Sequence, residues 1–245
     1  MRLDQAVAAR YPEVSRRKAR ELIAARRVLV NDRPVAIASR EVSDEDRVAL
    51  VADFDLAVLR ETADWIAVDK PSGMPTQPAR DREQRSLEEL MRVRFGRIYL
   101  VHRLDTGTSG VVLFARTQPE AARLSQLFAA GAMRKLYVAL VEPPLASPMT
   151  IETPIEGKDA LTFVQPRDGN RVEVEIRTGR THQIRIHLSS IGHPVVGDRR
   201  YGGRPAPRLM LHAWRIEHES MGVVEAPVPR VILSPAEGEG SPGKQ

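Results

Sequence analysis

The sequence predicts an α+β fold: a larger C-terminal domain of mixed strands and helices, preceded by a small N-terminal α/β module. Three observations carry this. At 245 residues the chain exceeds one minimal domain and suits a small domain joined to a medium one. Hydrophobic residues make up 42% of it, enough to build a packed core. In the larger part, strand-like and helix-like segments follow one another without the regular alternation of a doubly wound sheet.

The module is expected at residues 1–52. Leu3, Ala6 and Val7 recur at helical spacing, and Pro12 ends that helix. Ser15 reads as the N-cap of a second helix, whose apolar stripe is Ala19, Leu22 and Ile23. Val28–Val30, the turn Asn31-Asp32-Arg33-Pro34 and Val35 read as a tight strand-turn-strand, and Val48–Leu50 as a further strand. Around the second helix crowd Arg16, Arg17, Lys18, Arg20, Arg26 and Arg27, with Glu21 as the visible compensation. A charge run of this kind is often only a solvated face. Its density beside a hairpin favours a surface that tracks phosphates, because such binding rests on counterion release.

Residues 53–60 are expected to form a linker and 61–232 the larger domain. Trp65–Val68 reads as a short buried strand. Ser86 and Glu89 form a capping box ahead of Leu87, Leu90, Met91 and Phe95. Val111–Ala115 is a strand, and Thr117 with Glu120 caps a helix bearing Leu124, Leu127 and Phe128 that stops at Gly131. Leu136–Val141 is another buried strand. Val172, Val174 and Ile176 alternate with glutamates, as on a half-exposed strand. Order is expected to fade after Pro229, and the small, polar residues 233–245 to form a disordered tail.

Composition narrows the chemistry. There is no cysteine, so disulfides, thiolate metal sites and a cysteine nucleophile are excluded. The formal charge of +5 tilts the expected partner towards a polyanion. No apolar run approaches the roughly 20 residues of a membrane span, and the first ten residues lack a secretory core, so a cytoplasmic protein without a membrane partner is expected. His102, His182, His187 and His193 match no common metal-ligand spacing, and no metal is expected. Phosphate-cradling, nucleophile-elbow and dinucleotide glycine motifs are missing as well.

Three segments pack polar residues into apolar surroundings. His102-Arg103-Leu104-Asp105-Thr106-Gly107-Thr108-Ser109-Gly110 is a tight turn before a strand. Asp105 could be functional, or could merely accept hydrogen bonds from the turn. Tyr137 shares a strand face with small Ala139, which leaves room beside the ring; it is either a core tyrosine or a wall for a nucleobase. Gly179 to Leu188 reads as a helix capped by Thr181, with Ile184, Leu188 and Ile191 on one face and Gly192 at its end. Arg185 on it is either an exposed cation or the partner of a carboxylate in a cleft.

Two resemblances resolve these alternatives. SRRKARELIAARRVLVNDRPV resembles the alpha-L RNA-binding domain, found in a small-subunit ribosomal protein and attached to many RNA-modifying enzymes. HRLDTGTSGVVLFART, RKLYVALV and GRTHQIRIHLSSIGHPVVGDRRYGG, with Asp-Lys-Pro-Ser-Gly at 69–73 and LMLHAW at 209–214, resemble the RluA-type pseudouridine synthases over about Trp65 to Pro229. This second resemblance implies a catalytic domain on a mixed, largely antiparallel sheet with flanking helices. It further implies that Asp105 is the essential aspartate, that Arg103 fills the gap left by a flipped base, that Tyr137 stacks on the target uracil and that Arg185 pairs with the aspartate. His102, Arg180, His182 and Gln183, in the same motifs, are expected substrate contacts.

The reaction so implied detaches uracil from its ribose, turns it and rejoins it through carbon 5. Nothing is oxidised and no group is imported, so no cofactor is expected. The target base must leave its stack at a cost of a few kcal/mol. A carboxylate working in a dry pocket needs a nearby permanent cation to stay charged, and arginine suits that role. The expected partner is RNA, ribosomal in preference to transfer RNA, acted on by a monomer. The alternatives are a non-catalytic RNA-binding or ribosome-assembly factor, and a hydrolase using Asp105 with His102.

Overall fold

A computed structural model describes residues 1–24, 27–31, 33–50, 56–78 and 86–233. These residues pack as two compact units, one drawn from the described residues within 1–50 and 88–98, the other from those within 56–87 and 99–233. Arg26, most of the expected linker's first half (53–55) and tail residues 234–245 lie outside the described residues.

In the first unit, α1 (Leu3–Arg10) and α2 (Arg16–Ala24) cover a three-stranded antiparallel sheet of β1 (Val28–Val30), β2 (Arg33–Val35) and β3 (Val48–Leu50). Leu3, Val7, Ala19, Ile23 and Val28, all fully buried, form its core. Ser15 caps α2 as expected, its hydroxyl accepting from the Lys18 N–H at 3.2 Å. One feature of the basic surface was hidden in the sequence. Asp4, wholly buried, accepts from Arg16 at 3.0 Å, Arg20 at 2.9 Å and Arg2 at 3.2 Å. Glu21 is therefore not the main compensation, although it does pair with Lys18 at 3.5 Å. Burial opposes the Asp4 charge, but the three guanidiniums overcome it and pull its pKa down to about 2.

The second unit is built on β4 (Val58–Glu61), β5 (Trp65–Lys70), β6 (Tyr99–Leu100), β7 (Ser109–Ala115), β8 (Arg134–Leu140), β9 (Met149–Ile151), β10 (Thr162–Pro166), β11 (Arg171–Ile176), β12 (Leu211–His218) and β13 (Gly222–Glu225). Its helices are α4 (Gln118–Ala129), α5 (Gln183–Ser190) and α6 (Arg230–Leu233), while α3 (Leu87–Phe95) begins at the boundary and belongs mostly to the first unit. The strands form one sheet in the order β4-β5-β7-β12-β8-β11-β10-β9, with β6 on β7 and β13 on β12. Among the described residues only the β7–β12 pair is parallel, so the sheet is mixed and largely antiparallel, as expected. Thr117 caps α4, accepting from the Glu120 N–H at 3.4 Å, and Gly131 follows the helix with a φ of 69°.

Three expectations are corrected. Residues 58–60, assigned to a linker, lie in β4, which pairs with β5. Helix α5 is not capped by Thr181: its N-cap is His182, held at φ 56°, and no side chain caps the helix. Order persists past Pro229 as far as Leu233, because Ile232 is fully buried in a cluster with Val138, Leu140, Val196 and Met210.

Candidate active site

The site is assembled where β7 and β12 run parallel. Gly110 makes that approach possible: a Cβ there would lie 2.1 Å from the Ala213 carbonyl oxygen, and its φ of 116° suits only glycine. Behind the seam, buried His212 accepts at Nδ1 from the Ser109 hydroxyl (2.8 Å), whose oxygen in turn accepts from Arg208 Nη2 at 2.6 Å. Burial holds the His212 pKa down at about 4.

The turn before β7 presents Asp105. It is tied down by residues 70–76, a role the sequence did not suggest. The Thr76 hydroxyl donates to the Leu104 carbonyl at 2.7 Å and accepts from the Leu104 N–H at 3.2 Å. The Ser72 hydroxyl donates to the Gly107 carbonyl at 2.6 Å, and the Gly73 N–H to that of Thr106 at 2.7 Å. Lys70, fully buried, donates from Nζ to the carbonyls of Met74 (2.7 Å), Pro71 (3.0 Å) and Thr106 (3.3 Å). Burial draws its pKa down to about 7, against the attraction of Asp105.

Across the sheet, α5 brings Arg185 to Asp105. Arg185 Nη1 donates to Asp105 Oδ2 at 3.2 Å, while Nε and Nη2 hold both oxygens of Asp198 at 2.6 and 2.9 Å. Burial opposes the Arg185 charge, but Asp198 and then Asp105 more than restore it, so its pKa lies above the ordinary value. Asp198 is itself buried, which works against its charge. The guanidinium and the N–H groups of Tyr201 and Arg200 prevail and hold its pKa low. One guanidinium thus bridges two carboxylates, and its fork is aimed by Asp198.

The cleft in front of Asp105 is walled by Tyr137, Arg103, Arg180, His182, Ile184 and Leu211, with about 450 Å³ of empty volume, part of it open to solvent. Tyr137 lies on β8, paired in register with Val174 of β11, and packs against the core cluster that includes Ala139 and Val174. Burial, then the Asp105 charge, pushes its phenol pKa up, so the ring stays neutral. His182 reaches Asp105 Oδ2 at 3.7 Å and the Tyr201 hydroxyl at 2.9 Å from Nδ1. Its left-handed backbone is a sparsely populated conformation for a non-glycine residue. Burial lowers its pKa, with Asp105 acting in the opposite sense.

Two of the expected substrate contacts, Gln183 and His102, are also engaged within the protein. Gln183 spends its whole amide on the protein: Nε2 donates to Leu161 O and Thr162 Oγ1, and Oε1 accepts from Thr178 Oγ1 and the Arg180 N–H. It positions the 178–180 loop. His102 lies outside the Asp105 cleft. Its Nε2 accepts from the Leu113 N–H at 3.1 Å and its ring stacks on Phe128 at 4.4 Å. Burial, and then Lys135, lowers its pKa to about 3. The other histidines disperse: His187 bonds Thr162 and the Thr153 carbonyl, and His193 the Pro143 carbonyl.

Asp198, Tyr201, Thr76 and Lys70 escaped the sequence reading as site residues, although Lys70, Asp198 and Tyr201 stand inside motifs already singled out. The available signal was electrostatic. A buried arginine that holds one carboxylate in a two-bond fork still has three donors to satisfy, and Asp198 is the first carboxylate that follows Arg185 in sequence.

Comparison with known proteins bears on what such a site does. The pattern of a family described as RNA pseudouridylate synthase matches residues 64–190, and that of the S4 domain matches residues 1–48. The chain is 32% identical to the ribosomal large subunit pseudouridine synthase D of Salmonella typhimurium, with 95% of this chain and 88% of that protein covered. Against the protein of the same name from Haemophilus influenzae the identity is 28%, covering 84% and 74%. The solved structure of human RNA Pseudouridylate Synthase Domain Containing 1 superposes with a TM-score of 0.60 at 28% identity, covering 71% of this chain and 83% of that one.

Proposed function

The chain belongs to the RNA pseudouridylate synthase family, whose reaction converts uridine in RNA to pseudouridine, and we propose from that premise that it modifies ribosomal RNA of the large subunit with Asp105 as its indispensable carboxylate. The observation that carries the assignment is the bridge from Arg185 to Asp105 at 3.2 Å, at the mouth of a cleft walled by Tyr137. The guanidinium sets a permanent cation beside the carboxylate, within hydrogen-bond reach. Tyr137 offers an aromatic face on which the uracil stacks while its glycosidic bond is open. Arg103, exposed at the rim of the same cleft, occupies the space that the target base vacates on leaving its stack. His182 and Arg180 contact the substrate, and Gln183 holds the loop that carries Arg180.

The S4 domain supplies affinity for structured RNA through Arg16, Arg17, Lys18, Arg20 and Arg27, and Arg26, outside the described residues, is part of the same proposal. The Asp4 anchor supports that role: it orients Arg16 and Arg20 through Nε, and among the described residues no other partner takes up their remaining donors. A monomeric active unit is part of the proposal. No helix among the described residues is long and apolar enough to cross a membrane. A cytoplasmic location is part of the proposal, as ribosomal RNA is the substrate.

The test is pseudouridine mapping in large-subunit ribosomal RNA from cells lacking the protein, complemented by wild type or Asp105→Asn. One or a few sites are expected to disappear and to return with wild type alone. Restoration by Asp105→Asn would remove Asp105 from the mechanism, and sites lost instead from transfer RNA would reassign the substrate.

A further inference from the structure

Beside the Asp105 cleft lies a second, larger one, with about 1290 Å³ of empty volume, and the two share Arg103, Tyr137 and Arg180 as a common wall. Lys135 and Arg177 line the second cleft alone. Lys135 sits two residues before Tyr137 on β8, on the same strand face. Its ammonium donates to the carbonyls of Thr178 at 3.2 Å and Arg177 at 3.4 Å and stands 5.9 Å over the Phe128 ring. That uses two of its three donors. Arg180 donates from Nε to the Asp159 carbonyl, and Arg103 reaches only the Thr181 hydroxyl, at 3.5 Å. Among the described residues, none of these three cations has a carboxylate partner. Arg177 is the exception, paired with Glu175 at 3.1 Å.

Such a cluster is costly unless an anion completes it. Lys135 is 6% exposed, and burial, followed by repulsion from Arg177, lowers its pKa to about 8. The cleft is also lined by the C-terminal end of α4, Ala129 to Gly131, whose carbonyls carry partial negative charge. The attraction for an anion comes from Lys135, Arg103 and Arg180, which line the cleft together with Tyr137. A uracil alone would neither fill this cleft nor satisfy its charge.

We propose that the second cleft is a subsite for the RNA strand, holding the phosphodiester of a nucleotide adjacent to the target while the uracil lies against Tyr137. This deepens the assignment of the Asp105 cleft to uridine and rests on it. When the target nucleotide rotates out of its stack, its neighbours stay covalently linked to it, so a phosphate must lie within one nucleotide of Tyr137. Lys135 and Arg177, with Arg103 and Arg180 from the shared wall, then fix the strand's register while the base is detached and turned.

The test uses the full chain and an in vitro transcript of large-subunit ribosomal RNA, with equilibrium binding measured across a series of monovalent salt concentrations. Lys135→Met is expected to weaken binding about tenfold and to flatten the slope of log K against log salt by about 1. Arg177→Gln is expected to flatten it in the same direction, and it keeps the proposal testable if Lys135→Met does not fold. Arg134→Gln, on the same strand but outside both clefts and held by Glu175 and Glu217, is expected to leave the slope unchanged. Wild-type slopes in folded Lys135→Met, or in Arg177→Gln if Lys135→Met is unfolded, would overturn the subsite. If the slopes flatten but wild type forms no pseudouridine, the contact stands and the assignment of Asp105 is what fails.

Discussion

Asp198→Asn is the most informative perturbation of the site, because Asp198 aims Arg185 from the side opposite the substrate. The substitution keeps size and shape and removes one charge. In the wild type, both Asp198 oxygens accept from the guanidinium at 2.6 and 2.9 Å, with side-chain exposures of 0% for Asp198 and 12% for Arg185. An asparagine retains one acceptor, which can still serve the Arg200 and Tyr201 N–H groups, and turns an N–H donor against the cation. Breaking a buried ion pair costs about 3–5 kcal/mol. Arg185 keeps Asp105 as a partner, so a loss of about 3 kcal/mol is expected, at the lower end of that range. The freed guanidinium swings towards Asp105, and a displacement of ~1 Å at a reacting group can cost about a hundredfold in rate. Urea denaturation gives the first quantity and single-turnover pseudouridine formation at saturating RNA gives the second. A double-mutant cycle with Arg185→Gln should show strong non-additivity, on the order of 2 kcal/mol. A variant with wild-type stability and rate, or strict additivity in the cycle, would refute the idea that Asp198 positions Arg185.

Thr76→Val keeps the shape of Thr76 but strips both hydrogen bonds from Leu104, leaving a buried N–H and C=O unmet; a loss of roughly 2–4 kcal/mol is expected, with the saturating rate falling more than RNA affinity. Equal losses of rate and affinity would argue against a turn-positioning role. Gly110→Ala forces a Cβ into the Ala213 carbonyl at a φ of 116°, and destabilisation on the order of 3 kcal/mol or more should shift the chemical-denaturation midpoint downwards. An unchanged midpoint would mean that the β7–β12 seam opens freely. The stability of the second unit should also depend on pH. His212 is held neutral with its pKa lowered from 6.5 to about 4, so the unfolded chain binds a proton more readily than the folded one. Its contribution is complete above pH 6.5 and is lost as pH falls towards 4, with about 2 kcal/mol gone by pH 5. His102, whose pKa is lowered to about 3, acts in the same direction. A denaturation midpoint that stays flat between pH 7 and 5 would contradict both burials.

Much of this protein was decided locally and was therefore legible in one dimension. Ser15 and Thr117 cap helices because a hydroxyl ahead of a free N–H acts over three residues. The alternation of Val172, Val174 and Ile176 identifies a half-buried strand, and the motifs around Asp105, Tyr137 and Arg185 identify the family. Other features depend on partners far apart in sequence, and those only the tertiary structure decided. Leu211–His218 contains charges and gives no strand-like pattern, yet it becomes the central strand β12 because Gly110 lets a parallel neighbour approach. His182 rather than Thr181 begins α5, held in a left-handed conformation beside Tyr201 and Asp105. Gln183, expected as a substrate contact, lines the Asp105 cleft and also ties β10 to the 178–180 loop, which its neighbours in sequence do not reveal. Burial explains the difference: a polar group removed from water must find its partner wherever the fold brings one. The sequence by itself determined which residues carry charge and hydrogen-bonding capacity; only the folded chain determined that Arg185 would divide its donors between Asp105 and Asp198.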